Sequence, residues 1–376
     1  MEFFGGFGGT LIAFLIVLSI LVFVHEFGHY YVARWNGVRI ETFSIGFGPE
    51  AFGFTDRAGT RWKFSIVPLG GYVKMFGDAN AASQPGDADA IPPDQRDQAF
   101  PHKRLRQRAA IVAAGPIANF LFAIVALAGL FATVGQPYTP PVVSEVVADS
   151  AAEAAGLQAG DRIVAIDGQS VERFEAVKRV VALNPETALP LVVERGGARV
   201  QLTATPRRTS VTDQAGNSHS IGRLGVRVTE IEFRRPDPAT AVWSAMKETA
   251  ALTGGTLKAV GQIITGTRSA EELGGPIRIA QLSGEVAEAG LSNLVSFMAV
   301  LSINLGLINL FPVPMLDGGH LLFYGIEALR GRPLGEQAQE YGFRIGLALV
   351  LTLMLFVTWN DLANLQVFSF FKNLLT

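Results

Sequence analysis

Four stretches of this chain, residues 10–32, 109–134, 291–310 and 342–359, are apolar over enough length to cross a bilayer. Hydrocarbon offers the backbone no hydrogen-bonding partner, so each must be a helix, and most other features of the fold follow from that. The remaining residues are too polar to join such a bundle, so a chain of 376 residues has room for membrane helices plus one water-soluble insertion. Its formal net charge of −2 gives no case for nucleic acid. It has no cysteine, so disulfides are excluded and any zinc site must use nitrogen and oxygen ligands.

The first apolar stretch carries His25-Glu26-Phe27-Gly28-His29 near its end. On a helix, residues four apart lie about 40° apart around the axis and about 6 Å apart along it, so both imidazoles reach one cation. That is the HExxH arrangement: His25 and His29 hold Zn²⁺, and Glu26 takes a proton from the attacking water. An ionisable trio at membrane depth costs a few kcal/mol per charge unless it is compensated, and a metal compensates it.

Between the first two spans lie eleven Lys or Arg, whereas residues 1–24 have none. The positive-inside rule puts this loop in the cytoplasm. The N-terminus, the 135–290 region and the C-terminus then lie outside, in the periplasm of a Gram-negative inner membrane. The first span lacks a basic n-region and a small-residue cleavage site, so it is expected to remain in the mature protein. Within the loop, residues 61–67 alternate, Pro68-Leu69-Gly70-Gly71 breaks the pattern and residues 72–75 resume it. This predicts a β-hairpin turning at the glycines, with an aromatic face and an edge able to pair with an extended peptide. Gly70, Gly71 and Tyr72 are candidate substrate-binding residues. Residues 78–100 read as a flexible loop.

The second span contains Gly115-Pro116-Ile117-Ala118-Asn119. A lone amide in hydrocarbon wants a partner, and spacing leaves helix bonding and an active-site role equally open for Asn119. Short β-prone runs at 142–147, 162–166, 189–194 and 199–204 alternate with helical stretches at 150–155 and 171–183. Residues 155–168, AGLQAGDRIVAIDG, resemble the bacterial PDZ domain, whose groove takes peptides, C-termini among them. His219 sits in polar sequence that reads as solvated loop. Residues 241–267 carry apolar residues on one helical face, interrupted by Gly254-Gly255, which predicts amphipathic helices on the outer membrane surface. After the third span, Pro312, Pro314, Gly318 and Gly319 must break the helix. Asp317 in that break is the natural third metal ligand, with helix capping as its structural alternative and His320 as the competing ligand.

Taken together, HEFGH, GFGP at 46–49, PLGGYVKM at 68–75, GPIANF, the PDZ-like run, GGPIRIA at 274–280, NLFPVPMLDGGH and WND at 359–361 resemble the site-two-protease-type intramembrane zinc metalloproteases along nearly the whole chain. The resemblance implies one Zn²⁺ on His25, His29 and Asp317, Glu26 as catalytic base, a membrane-dipping hairpin on PLGGYVKM and the family's active-site asparagine on Asn119. It also implies substrates among single-span membrane proteins, either anti-sigma factors clipped beforehand or signal-peptide remnants. Enterobacterial members carry two PDZ domains in tandem; this chain has room for one. The expected architecture is an α-helical membrane bundle of four transmembrane helices with a cytoplasmic-side β-hairpin and an inserted periplasmic α/β PDZ domain. Its parts are the first helix (1–35), the cytoplasmic loop (36–108), the second helix (109–134), PDZ (138–206), linker and amphipathic helices (207–290), the third helix with the LDG motif (291–320) and the fourth helix with the tail (321–376). A different class of reading, a membrane scaffold with a PDZ module and a structural metal, fits the same motifs.

Overall fold

The computed structural model describes residues 6–78, 91–212, 218–228, 232–267, 269–270 and 274–364. In chain order these form α1 (Gly6–Trp35), β1 (Ile40–Thr55), β2 (Arg61–Met75), α2 (Leu105–Thr133), β3 (Gln136–Tyr138), β4 (Val143–Val146), α3 (Ala151–Ala154), β5 (Arg162–Ile166) and β6 (Gln169–Ser170). They continue with α4 (Phe174–Ala182), β7 (Leu189–Arg195), β8 (Ala198–Ala204), β9 (Arg207–Thr212), β10 (Ser218–Arg223), β11 (Val226–Val228) and β12 (Glu232–Arg234). The last five helices are α5 (Pro238–Ile264), α6 (Pro276–Glu288), α7 (Leu291–Leu310), α8 (Asp317–Arg330) and α9 (Glu336–Asn364). The chain divides into two compact units, residues 1–127 with 245–253 and 274–359, and residues 128–244 with 254–273 and 360–376.

Long apolar helices lie at all four expected spans: Gly8–Trp35, Leu105–Thr133, Leu291–Leu310 and Gln337–Ala363. Val17 and Leu21 of α1 pack with Met298 of α7, and Phe122 of α2 closes the cluster. At the other end of α1, Ala33 joins Phe43, Ile45, Val73 and Met75 of the β-strands and Ile111 of α2 in a second core. This core holds the strands against the helix that carries His25 and His29.

The hairpin differs from its sequence reading. β2 continues unbroken through Pro68-Leu69-Gly70-Gly71, and the turn lies at residues 56–60. There Asp56 Oδ1 accepts the Ala58 and Thr60 amides at 2.8 and 2.9 Å, and Oδ2 accepts Trp62 Nε1 at 3.0 Å. Both strands kink, at Gly46 (φ 89°) and Gly70 (φ 90°), so that each pairs twice. Phe43 pairs with both Trp62 and Val73, while Phe54 pairs with Trp62. Two strands therefore build four rungs, in the order 50–55, 61–65, 42–45 and 71–75. Glycine at the kinks supplies the positive φ that a side chain resists. Phe52 and Phe64 stack at 4.6 Å on the exposed aromatic face.

In the second unit, β6-β5-β7-β8 form an antiparallel sheet. Its core packs Ile163, Ile166, Leu191 and Val193 against Phe174, Val177 and Val181 of α4. Asp161, fully buried, takes a two-toothed bond from Arg195 at 2.7 Å to each oxygen. These elements fall within a few residues of their expected places. Residue 219 lies in β10 rather than in a loop, its side chain outside the described set; most of the 78–100 loop is likewise outside it. Residues 238–264 are one continuous helix, α5, running through Gly254-Gly255. Two glycines cost a helix about 2 kcal/mol in propensity, too little to break one that has apolar contacts. Ala241 and Ala245 of this helix are buried.

Candidate metal centre

α1 is helical through His25 and His29, so their rings project from one side, 4.9 Å apart between centroids. The irregular segment expected after the third span is present: α7 ends at Leu310, and α8 begins at Asp317 with Leu316 as its N-cap. Asp317 caps no amide with its side chain. Instead its Oδ2 lies 3.2 Å from His25 Nε2 and 3.4 Å from His29 Nε2. Met315, two residues earlier, holds φ at 84°, a left-handed conformation that costs a residue with a Cβ about 1–2 kcal/mol. Strain of this kind persists where the surroundings enforce it. Gly318 and Gly319 pack on the carbonyls of the loop itself, and Gly346 of α9 packs on the Pro314 carbonyl.

Three ligand-type atoms, two Nε2 and one carboxylate oxygen, all lie within 4.8 Å of one another. His29 Nδ1 bonds the Ile111 main-chain carbonyl at 2.9 Å; a carbonyl only accepts, so the proton sits on Nδ1 and Nε2 offers a lone pair. Asp317 Oδ2 has no hydrogen-bonding partner among the described residues. Electron-rich atoms converging in a buried space repel unless a cation lies between them, and nitrogen with carboxylate oxygen is a donor set that zinc accepts. The residues present fit zinc.

Glu26 lies in the same cavity of about 390 Å³, which Gly71, Tyr72, Val73, Met75, Asn309 and Met315 also line. The Val73 amide faces the Glu26 carboxylate. The outer rung of the β-ladder thus runs beside the candidate base. A Cβ on Gly71 would fall 2.6 Å from Val22 Cγ1 and 2.7 Å from the Ser44 carbonyl, so glycine lets that rung approach α1. Gly70 bends the strand and does not line the cavity. His320 lines it from another side, its ring 5.3 Å from that of Phe343, outside the three-residue cluster. Asn119 is fully buried behind His25, its Nδ2 3.0 Å from His25 Nδ1, and it is not on the cavity wall.

Sequence reasoning missed Gly115, whose missing side chain leaves the space that both imidazole rings fill, and Gly28, which lets α1 touch the Ala114 carbonyl. The signal was present as glycine inside HEFGH and GPIAN.

A profile of peptidase family M50 matches residues 13–353. The chain belongs to peptidase family M50. A protein of Agrobacterium fabrum with a provisional zinc-metalloprotease name is 50% identical, over 95% of this chain and 96% of that one. Metalloprotease MmpA of Caulobacter vibrioides is 38% identical, over 99% and 100%. The regulator of sigma-E protease RseP of Salmonella typhimurium is 36% identical, over 95% and 99%. That alignment runs to 452 positions against a chain of 376 residues, so RseP carries insertions without counterpart here. This M50 peptidase is a zinc-dependent membrane metalloprotease of a bacterium, which sets aside the scaffold reading.

Proposed function

We propose that this M50 peptidase cleaves a peptide bond inside the membrane span of single-span membrane proteins, with His25, His29 and Asp317 as its zinc ligands and Glu26 as general base. The observation that carries the reading is the convergence of two Nε2 atoms on an otherwise unbonded Asp317 oxygen, with Glu26 in the same cavity. Zinc held there supplies Lewis acidity, which brings water ionisation toward pH 7 and polarises a carbonyl. Glu26 accepts the proton of the attacking water and returns it to the departing amine nitrogen. The Val73 amide, facing the Glu26 carboxylate, orients it.

A helical substrate hides its amide bonds, and the rung at 71–75 has pairing capacity on the side away from 42–45. A substrate strand added to that edge would bring its backbone alongside Glu26, with Gly71 and Tyr72 as the contacts. Exposed Phe52, Phe54, Phe64 and Ile66 suit a hairpin tip immersed in lipid. The basic loop supports an inner-membrane topology with the site toward the cytoplasm, and with the N-terminus, the inserted α/β module and the C-terminus in the periplasm. Strands and helices at the PDZ-like positions support a single PDZ module there, a groove for peptide C-termini or a steric filter on substrates. Pre-clipped anti-sigma factors and signal-peptide remnants are the substrate classes that this arrangement serves.

The test exposes a panel of tagged single-span proteins to the wild type and to Glu26→Gln, with fragments read by mass. Glu26→Gln should lower turnover by about 10²–10⁴-fold while zinc content stays at one per chain. Undiminished cleavage would remove Glu26 from the chemistry. Asp317→Asn should weaken both zinc binding and cleavage; zinc binding that stays unchanged would overturn the ligand set.

A further inference from the structure

His25 and His29 turn the same atom, Nε2, toward Asp317, yet their far nitrogens are held differently. His29 Nδ1 meets a main-chain carbonyl, which leaves it one protonation pattern. His25 Nδ1 meets the side-chain amide of Asn119 at 3.0 Å, and an amide has one donating and one accepting end of nearly equal size. With Nδ2 toward the ring, the proton of a neutral imidazole must sit on Nε2, the atom that faces Asp317. With Oδ1 toward the ring, the proton sits on Nδ1 and Nε2 is free to bind a metal.

We propose that Asn119 is a positioning residue for the zinc: its Oδ1 accepts the Nδ1 proton of His25 and so keeps Nε2 as the ligand atom. The role rests on the ligand set proposed above. Three observations support it besides the 3.0 Å approach. Asn119 is fully buried, and with Nδ2 toward the ring its Oδ1 has no partner among the described residues. With a metal on Nε2 the neutral His25 ring carries its proton on Nδ1, and only the Oδ1 end of the amide can accept it, so the ligand set itself selects the turned amide. The side chain is also held from behind. Ser302 Oγ of α7 donates to the Asn119 main-chain carbonyl at 2.9 Å, and Gly306, a turn further on, leaves only enough room for the Asn119 Cβ and the Pro116 carbonyl. Finally, Asn119 lies outside the cavity wall, so a direct substrate contact does not account for it.

The two histidines are thus oriented from one helix, α2, by a backbone carbonyl at Ile111 and a side chain at Asn119, two turns apart. Only the second can be changed by substitution. The experiment measures zinc affinity of the full-length protein in detergent by competition with a chromophoric chelator, alongside the absorption spectrum of the cobalt-substituted protein. Asn119→Leu, which fills similar space without an acceptor, should weaken zinc binding about 10–100-fold and alter the cobalt spectrum. Asn119→Asp retains an accepting oxygen and should hold zinc close to the wild-type affinity. Wild-type affinity in Asn119→Leu would overturn the proposal. Equal weakening in both variants would also overturn it, by showing that shape rather than the acceptor matters. His29→Ala on the same assay separates the two claims. If it leaves zinc binding intact, the ligand set is wrong and this role falls with it. If it abolishes binding while Asn119→Leu does not, only the role of Asn119 falls.

Discussion

Glycine does different work between the helices at the metal centre and in a turn of the α/β unit. Around the metal centre, Gly28, Gly115 and Gly346 have ordinary helical backbone, and a methyl group at any of them would run into a carbonyl or an imidazole. In the inserted α/β unit, Gly168 has φ 73° and open space around it. The first set is chosen for the absence of a side chain, the second for a torsion angle. The membrane unit gains its site by bringing backbones together, as helices in lipid do through small residues. The α/β unit gains its fold from a conventional apolar core.

Substitutions can break that contrast, and Gly115→Ala should have the largest effect. The new methyl overlaps His29 Nε2, so zinc affinity and turnover should both drop by about 100-fold or more, an effect at least as large as removing an outer-shell partner. Zinc titration of the purified variant checks this, and unchanged affinity would mean that α1 and α2 are not held as close as described. Next is Asp161→Asn, which leaves Arg195 without its carboxylate and should cost about 2–3 kcal/mol in the isolated melting of the α/β unit. The Arg195 guanidinium beside Asp161 holds its carboxyl below the usual range. The resulting stabilisation is fully present above about pH 4 and is lost as the pH falls through the lowered folded-state value. Wild type should therefore lose stability in that acid window, and Asp161→Asn should lose less; parallel curves would break the claim. Smallest is Gly168→Ala, about 1 kcal/mol from the left-handed backbone alone, with no change in zinc binding.

The same contrast explains what could be read from residues alone. β5 was legible to the residue, because alternation and turn residues are local signals. His25 and His29 were legible for a similar reason, four residues apart on one helix. Asp317 stood out because two prolines and two glycines announce a break, and its carboxylate lies beside both imidazoles. The hairpin turn was misplaced because Gly70-Gly71 looks like a turn, and only the distant partners Phe43 and Ser44 show that it is a bend within a strand. Ile111 could not be found, since a main-chain oxygen leaves no distinctive side chain in the sequence.

The double pairing of β1 and β2 has a bearing on where this chain can vary in length. Extra residues at Arg57-Ala58-Gly59 would lengthen an exposed tip and leave the ladder in step. One extra residue between Val67 and Gly71 would turn every later side chain over and swing the Val73 amide away from Glu26. Insertions are therefore tolerable at one end of the hairpin and disabling at the other, some ten residues apart in the same loop.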